Sequence, residues 1–333
     1  GRSYTYTVSI KGYVAQKGEF EAQTGTKQIT LVQAAVNENI NENIYAEWPN
    51  FGKNEENNAI VDRKSPVTAS GSALYWATKL GSGWGGNATG APLIVGGYLI
   101  STAGSNIYKV DRFNGEVVAK GTMCGASSYS IVPPTYAQGM IFVGLANGII
   151  QAFNAETLES LWIYKDELKG QPNSPIKYYD GYVYTGFWNA ETGNANFVCV
   201  SITDEDVNCA DEDKSATWTH TQAGGFYWAG AYASDKYILV GTDDGQSSTA
   251  QTSELLSFNP RTGRIIDKIS GLNGDIRSSI SYDEVTDRYY VTTKGGSFYG
   301  FAVNEDGTFK KNENGLLGYD LQAIDLGGMS TST

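Results

Sequence analysis

Polar and apolar positions along this 333-residue chain alternate in short runs, and one run recurs. IYKVDRFNGEVV (Ile107–Val118) is an apolar stretch, a polar turn at Asp111, Asn114 and Gly115, and a second apolar stretch. The same order returns as IQAFNAETLESLW (Ile150–Trp162), as LLSFNPRTGRII (Leu255–Ile266) and, more loosely, as YGFAVNEDGTF (Tyr299–Phe309). A period of two sends side chains to opposite faces of a strand, so each copy predicts a hairpin. A second set of hairpins lies between the copies: APLIVGGYLIST, PPTYAQGMIFVG, SPIKYYDGYVYTG, GAYASDKYILVG and SISYDEVTDRYYVTT. In each of them the second strand opens on an aromatic or Met, at Tyr98, Met140, Tyr182, Tyr237 and Tyr289. These markers are 42, 42, 55 and 52 residues apart, and the polar insertions TDEDVNCADEDKS and DDGQSSTAQTS account for the longer intervals.

Four strands per unit at this spacing predict an all-β chain, a β-propeller whose blades share cores with their neighbours. Five complete blades can be traced, from about Pro92 to Leu317, with a sixth in pieces. ALYWATKL (Ala73–Leu80) reads as a lone outer strand carrying Trp76, and DLGGMSTST as the start of a further blade. The expectation is a ring that is open or irregularly closed and truncated at its C-terminus. Residues 1–50 are expected to form a small β-rich segment, with strands in SYTYTVSI, EFEAQ and KQITLVQAA and a loop at NENINENI. Residues 51–72 then form a polar connector, and residues 73–333 the propeller. The Gly-His…Trp-Asp pairing of WD40 blades is absent, and a kelch-like double glycine occurs once, at Gly96–Gly97. No apolar run reaches the roughly 18 residues of a membrane-spanning helix.

The net charge of −12 argues against nucleic-acid and anionic-membrane partners, which call for clustered Lys and Arg. Cys124 reads as a small buried residue. Cys199 and Cys209 flank one insertion, which leaves two readings open: a disulfide across it, or separate thiols. The acidic residues of that insertion (Asp204, Glu205, Asp206, Asp211, Glu212, Asp213) lack the EF-hand spacing and read as a solvated loop, and Asp243-Asp244-Gly245 as a turn. The single histidine, His220, lies on an outer strand and reads as structural or solvent-facing, so no Ser-His-Asp set can be assembled.

The repeated A-F-[DN]-x-x-T-G-x-x-x-W order resembles the repeat of the pyrroloquinoline-quinone (PQQ)-type propellers. Asn154, Thr157 and Trp162 match it in one blade, Asn259, Thr262 and Gly263 in another, and Asp111, Asn114 and Gly115 in a third. The resemblance covers roughly residues 48–333. It implies that an outer-strand Trp (Trp76, Trp162, Trp218) packs over the turn of a neighbouring blade, and that the chain works outside the cytoplasm, secreted or attached to the cell surface. Enzymes of that family use PQQ with Ca²⁺ and a disulfide between adjacent cysteines. No Cys-Cys pair is present here, and the Ca²⁺ ligands cannot be matched residue by residue, so neither cofactor is supported. The expectation is a non-catalytic binding or scaffold module for a glycan, peptide or protein, with a PQQ-dependent dehydrogenase of atypical ligands as the alternative.

In a propeller, the loops between blades and those between second and third strands lie on one face. That topology gathers Trp84, Tyr129, Trp188, Tyr227, Trp228, Asp275 and Arg277 on one rim, with Asn87, Asn173 and Phe226 beside them. Aromatics among scattered polar groups suit a sugar or peptide. The same aromatics are equally the bulky plugs that fill the wedge between blades. No metal ligand set is expected.

Overall fold

The computed structural model of the chain describes residues 2–22, 26–62, 64, 74–81, 90–126, 133–246 and 252–328. Strands β1 (Ser3–Val8), β2 (Tyr13–Val14), β3 (Gln16–Glu21), β4 (Val32–Gln33) and β5 (Ala46–Trp48) come first, with β1 paired to β3 and β2 to β4. Blade one is β6 (Leu93–Val95), β7 (Tyr98–Ala103), β8 (Asn106–Asp111) and β9 (Val117–Thr122). Blade two is β10 (Thr135–Ala137), β11 (Met140–Leu145), β12 (Ile149–Asn154) and β13 (Ser160–Lys165). Blade three holds β14 (Lys177–Tyr179), β15 (Tyr182–Gly186), β16 (Asn194–Ser201) and, after the short β17 (Glu212–Lys214), β18 (Ala216–Ala223). Blade four is β19 (Tyr232–Ala233), β20 (Ile238–Gly241), β21 (Thr252–Phe258) and β22 (Ile265–Asn273), and blade five β23 (Ser281–Asp283), β24 (Arg288–Thr292), β25 (Ser297–Phe301) and β26 (Leu321–Asp325). All five blades are antiparallel, and no α-helix occurs among the described residues.

The recurring turn has one chemistry. Asp111 Oδ1 accepts from the amides of Phe113 and Asn114, Asn154 Oδ1 from those of Glu156 and Thr157, and Asn259 Oδ1 from those of Arg261 and Thr262. This is what an Asx side chain does at the start of a turn. The fifth residue is left-handed each time: Gly115 (φ 76°), Leu158 (φ 60°) and Gly263 (φ 65°). Trp76, Trp162 and Trp218 donate Nε1–H to the carbonyls of Arg112, Ile202 and Pro260. Each carbonyl belongs to a residue one or two positions beyond the end of a third strand, in the blade the tryptophan faces. A Cβ on Gly115 or Gly263 would come within 2.5 Å of the Trp76 or Trp218 ring, so glycine there serves both the backbone and the indole. Between blades one and two the sizes are exchanged. Ala119 stands where the Trp would be, and an added Cβ on Gly121, two residues further along β9, would lie 2.4 Å from the carbonyl oxygen of Leu158, which takes the glycine's place.

Strand alternation then divides the core between blades. Ile141 and Val143 of β11 face blade one, while Met140 and Phe142 face blade three. Val183 of β15 packs against blade two and Tyr184 against blade four; Val240 of β20 packs against blade three and Leu239 against blade five. Four hydrophobic clusters join the five blades in succession, and none of them joins blade five to blade one. The remaining face of blade five carries the stacked pair Tyr290–Phe298 (centroids 5.5 Å apart) and the exposed Ile324.

Four expectations are corrected. Residues 74–80 form no strand, although Trp76 and Thr78 still hold the blade-one turn through Arg112 O and Gly115 O. The acidic insertion is not solvated throughout: β17 adds in parallel to β13 of blade two, burying Asp204, Glu212 and Lys214, with the Lys214 ammonium on Thr203 O and the Glu205 carboxylate. Cys124 is exposed, because Met123 takes the inward position just beyond β9 and the next side chain points out. Residues 46–58, expected to span the end of a separate module and a connector, run along the inner edges of all five blades. β5 pairs with β6, Pro49 O accepts from Tyr136 N, and Lys177 Nζ donates to Asn54 O, Glu55 O and Asn57 Oδ1. Asn57 Nδ2 donates to Ala231 O and Ile280 O, and Tyr282 N to Glu56 O. Inner strands expose unpaired amides and carbonyls, and this Asn-rich segment satisfies them. All three cysteines are free thiols.

Candidate functional site

Before that strap, residues 11–15 and 37–43 lie on the face of the hairpin turns: Gly12 N donates to Thr203 Oγ1, Ala15 N to Glu205 Oε2, and Asn154 Nδ2 to Asn39 O. Clefts of about 450 Å³ form where the N-terminal residues meet the blades, one lined by Val36 and Ile40 with Met140, another by Phe51 with Tyr290 and Phe298. The opposite face holds the loops between blades.

On that opposite face, the loops that follow β15, β18, β20 and β22 are stitched by backbone bonds. Phe226 N donates to Phe187 O, Asp243 N to Gly225 O and Ile276 N to Thr242 O. Five of the seven expected residues meet there. Trp188 and Tyr227 are 4.7 Å apart by ring centroid, Tyr227 and Trp228 4.5 Å, and the Arg277 guanidinium lies 4.7 Å from the Tyr227 ring. Asp275 pairs with Arg277 at 3.1 Å. Trp84, Tyr129 and Asn87 lie outside the described residues. Phe226 is fully buried between blades three and four, so it is the wedge plug, whereas Trp188, Tyr227 and Trp228 are only half-buried. Trp228 holds φ at 57°, a strained value for a bulky residue. The buried Nε1 of Trp188 and Oδ1 of Asn173 have no protein partner.

Two members escaped the sequence reading. Glu191 and Asp243 join Asp275 so that their carboxylate oxygens lie within 4.8 Å of one another. Arg277 fills the space between them. Its Nε bonds Asp243 Oδ1 at 3.2 Å, and its Nη2 bonds Asp243 Oδ2 at 2.6 Å and Glu191 Oε2 at 2.8 Å. The signal was present in the loops FWNAETGNAN and DDGQ, which the propeller rule places on this same face. Burial pushes the Asp243 carboxyl up to about 7 against the opposing pull of Arg277, and burial also raises Asp275. Lys294, 3.6 Å from Asp275, completes the charges. His220 lies away from this cluster, its ring 4.9 Å from Phe258 and its Nε2 3.3 Å from Gln222 Oε1; burial lowers its pKa.

Residues 63–193 match the family model described as "Outer membrane protein assembly factor BamB". Among solved structures the chain is similar to a europium-containing methanol dehydrogenase at 13% identity and a TM-score of 0.63, over 79% of this chain and 57% of that one. It is also similar to the quinohemoprotein alcohol dehydrogenases of Comamonas testosteroni (16% identity, TM-score 0.58, 82% of this chain and 50% of that one) and Pseudomonas putida HK5 (15%, 0.58, 84% and 48%). The chain thus spans about half the length of these enzymes. No curated protein matches its sequence. Repeat, turn and blade order define a β-propeller, and residues 63–193 carry PQQ-type repeats. No helix among the described residues is long and apolar enough to cross a membrane.

Proposed function

We propose that this chain is an extracytoplasmic binding module, secreted or displayed at a cell surface, whose partner docks on the rim of Trp188, Tyr227 and Trp228. The partner is an extended glycan, a peptide or a protein segment, because the aromatic group is an open platform of adjoining rings. The observation that carries this reading is Trp228. Its backbone sits in a conformation that costs roughly 1–3 kcal/mol, and it holds a half-exposed indole beside the Trp188–Tyr227 contact. Strain of that kind supports a role in recognition. The family description points the same way, since an assembly factor works through protein partners.

The test is a glycan array and a peptide array probed with the parent and with the Trp188→Ala/Trp228→Ala variant. Binding by the parent that weakens at least roughly tenfold in the variant, with a thermal midpoint lowered by no more than about 4 °C, is the expected result. No binding by the parent on either array sinks the proposal. The rival reading is a quinone-dependent dehydrogenase, favoured by the likeness to alcohol and methanol dehydrogenases. Reproducible dye reduction with an alcohol or sugar after addition of PQQ and Ca²⁺ would replace the binding-module reading with that one.

A further inference from the structure

Three carboxylates of the rim, Glu191, Asp243 and Asp275, converge as metal ligands do. Hard divalent and trivalent cations take clusters of oxygen ligands of this kind, and fold relatives include a europium-containing enzyme. The residues present do not fit such an ion. We infer that Arg277 is a built-in cation, whose guanidinium holds the seat among Glu191, Asp243 and Asp275 and closes it to metal ions.

The geometry is direct. One nitrogen, Nη2, stands 2.8, 2.6 and 3.1 Å from the nearest oxygens of Glu191, Asp243 and Asp275. An ion bound to all three would occupy the same volume. The guanidinium cannot give way by losing its proton, as an amine can. Nor can it leave easily by rotation. It is bidentate to Asp243, lies against the Tyr227 ring, and its side chain is 8% exposed. Swinging out would strand Asp243, fully buried, beside two further carboxylates. The charge count agrees. Three carboxylates face Arg277 and Lys294, with Asp244 adjoining through its amide to Asp275 Oδ1, so two resident cations already offset two of the three charges. Adding a metal beside the guanidinium would place two cations in contact in a site poor in water. The arginine also ties the loops after β15, β20 and β22 together through these carboxylates, work that an ion does where no such side chain reaches.

The experiment is a terbium titration of the chelator-treated protein, read by emission sensitised through Trp188 and Tyr227. Four forms are compared: the parent, Asp243→Asn, Arg277→Ala, and Arg277→Ala/Asp243→Asn. The parent is expected to show no saturable signal that Asp243→Asn removes. Arg277→Ala is expected to bind at least roughly tenfold more tightly than the parent, and the double variant to lose that gain. Saturable one-to-one binding by the parent that Asp243→Asn abolishes overturns the inference, and so does a folded Arg277→Ala that gains nothing. Should Arg277→Ala fail to fold, the thermal midpoint of the parent decides. Equal midpoints in chelator and in Ca²⁺ support a resident guanidinium; a rise in Ca²⁺ that Asp243→Asn removes overturns it. Metal binding is read without any glycan or peptide, so this result and the docking proposal stand or fall separately.

Discussion

Lys177 and Arg277 are both buried cations, at 3% and 7% exposure, yet their surroundings are opposite. Lys177 reaches into the axial strap, where its ammonium meets the neutral oxygens of Asn54, Glu55 and Asn57. Burial lowers its pKa to about 8, with Glu55 and Glu56 offsetting part of the fall. Arg277 meets carboxylates, and although burial opposes it, Asp243 raises its pKa. Backbone dipoles can hold a cation in place but compensate its lost hydration poorly, while carboxylates compensate it and must themselves be compensated. The first arrangement locks a segment that needs no ligand. The second gathers loops under a platform of half-exposed rings, and removing its one guanidinium exposes a latent ligand set.

That contrast can be broken most directly by truncation. Arg277→Ala should cost about 3–5 kcal/mol, since it strands buried carboxylates, and part of the loss should return in Ca²⁺ or Tb³⁺. Lys177→Met should cost only about 1–3 kcal/mol, the desolvation of carbonyls left without a donor. Urea unfolding of the two variants measures the difference; equal costs would remove the distinction.

The two sites also respond to pH with opposite signs. The folded pKa of Lys177 is lowered from 10.5 to about 8, so the cost of burying its charge is present in full below pH 8 and is relieved as pH rises from there toward 10.5. Relative to Lys177→Met, the parent should gain stability across that window, by about 3 kcal/mol at most. The folded pKa of Asp243 is raised from 3.8 to about 7, so its folded form holds the proton more tightly than the unfolded chain. Relative to Asp243→Asn, the parent should lose stability as pH climbs from about 4 to 7, by a few kcal/mol at most. Unfolding midpoints over the two ranges test both signs. The smallest stability effect belongs to the rim aromatics. Trp188→Ala/Trp228→Ala should shift stability by only about 1 kcal/mol, since both indoles are half-exposed, while removing ligand binding. A larger loss would make them core residues.

The blades were legible because the hairpin code is local. Asp111, Asn154 and Asn259 organise their turns through bonds two and three residues on, and the next strand begins at once. The outer tryptophans were legible by their distance from those turns. Five members of the rim could be placed together because propeller topology sends their loops to one face. The strap at residues 46–58 was not legible: Asn-rich stretches read as loop, and only the inner strands of five blades show what those amides satisfy. The burial of Asp204, Glu212 and Lys214 was missed for the same reason, since β17 finds its partner in the preceding blade.

By itself the sequence determined the all-β repeat, the turn chemistry and the alternation that gives each blade two apolar faces. These follow from contacts a few residues apart, where residue type and spacing suffice. Only the tertiary structure decided that the N-terminal segment lies along the propeller axis, that Gly121 makes room for Leu158 across an interface, and that Glu191, Asp243 and Asp275 close around Arg277. Those depend on which loops meet in space and on how much water is left between them, and charge placement gains its meaning only once burial is known.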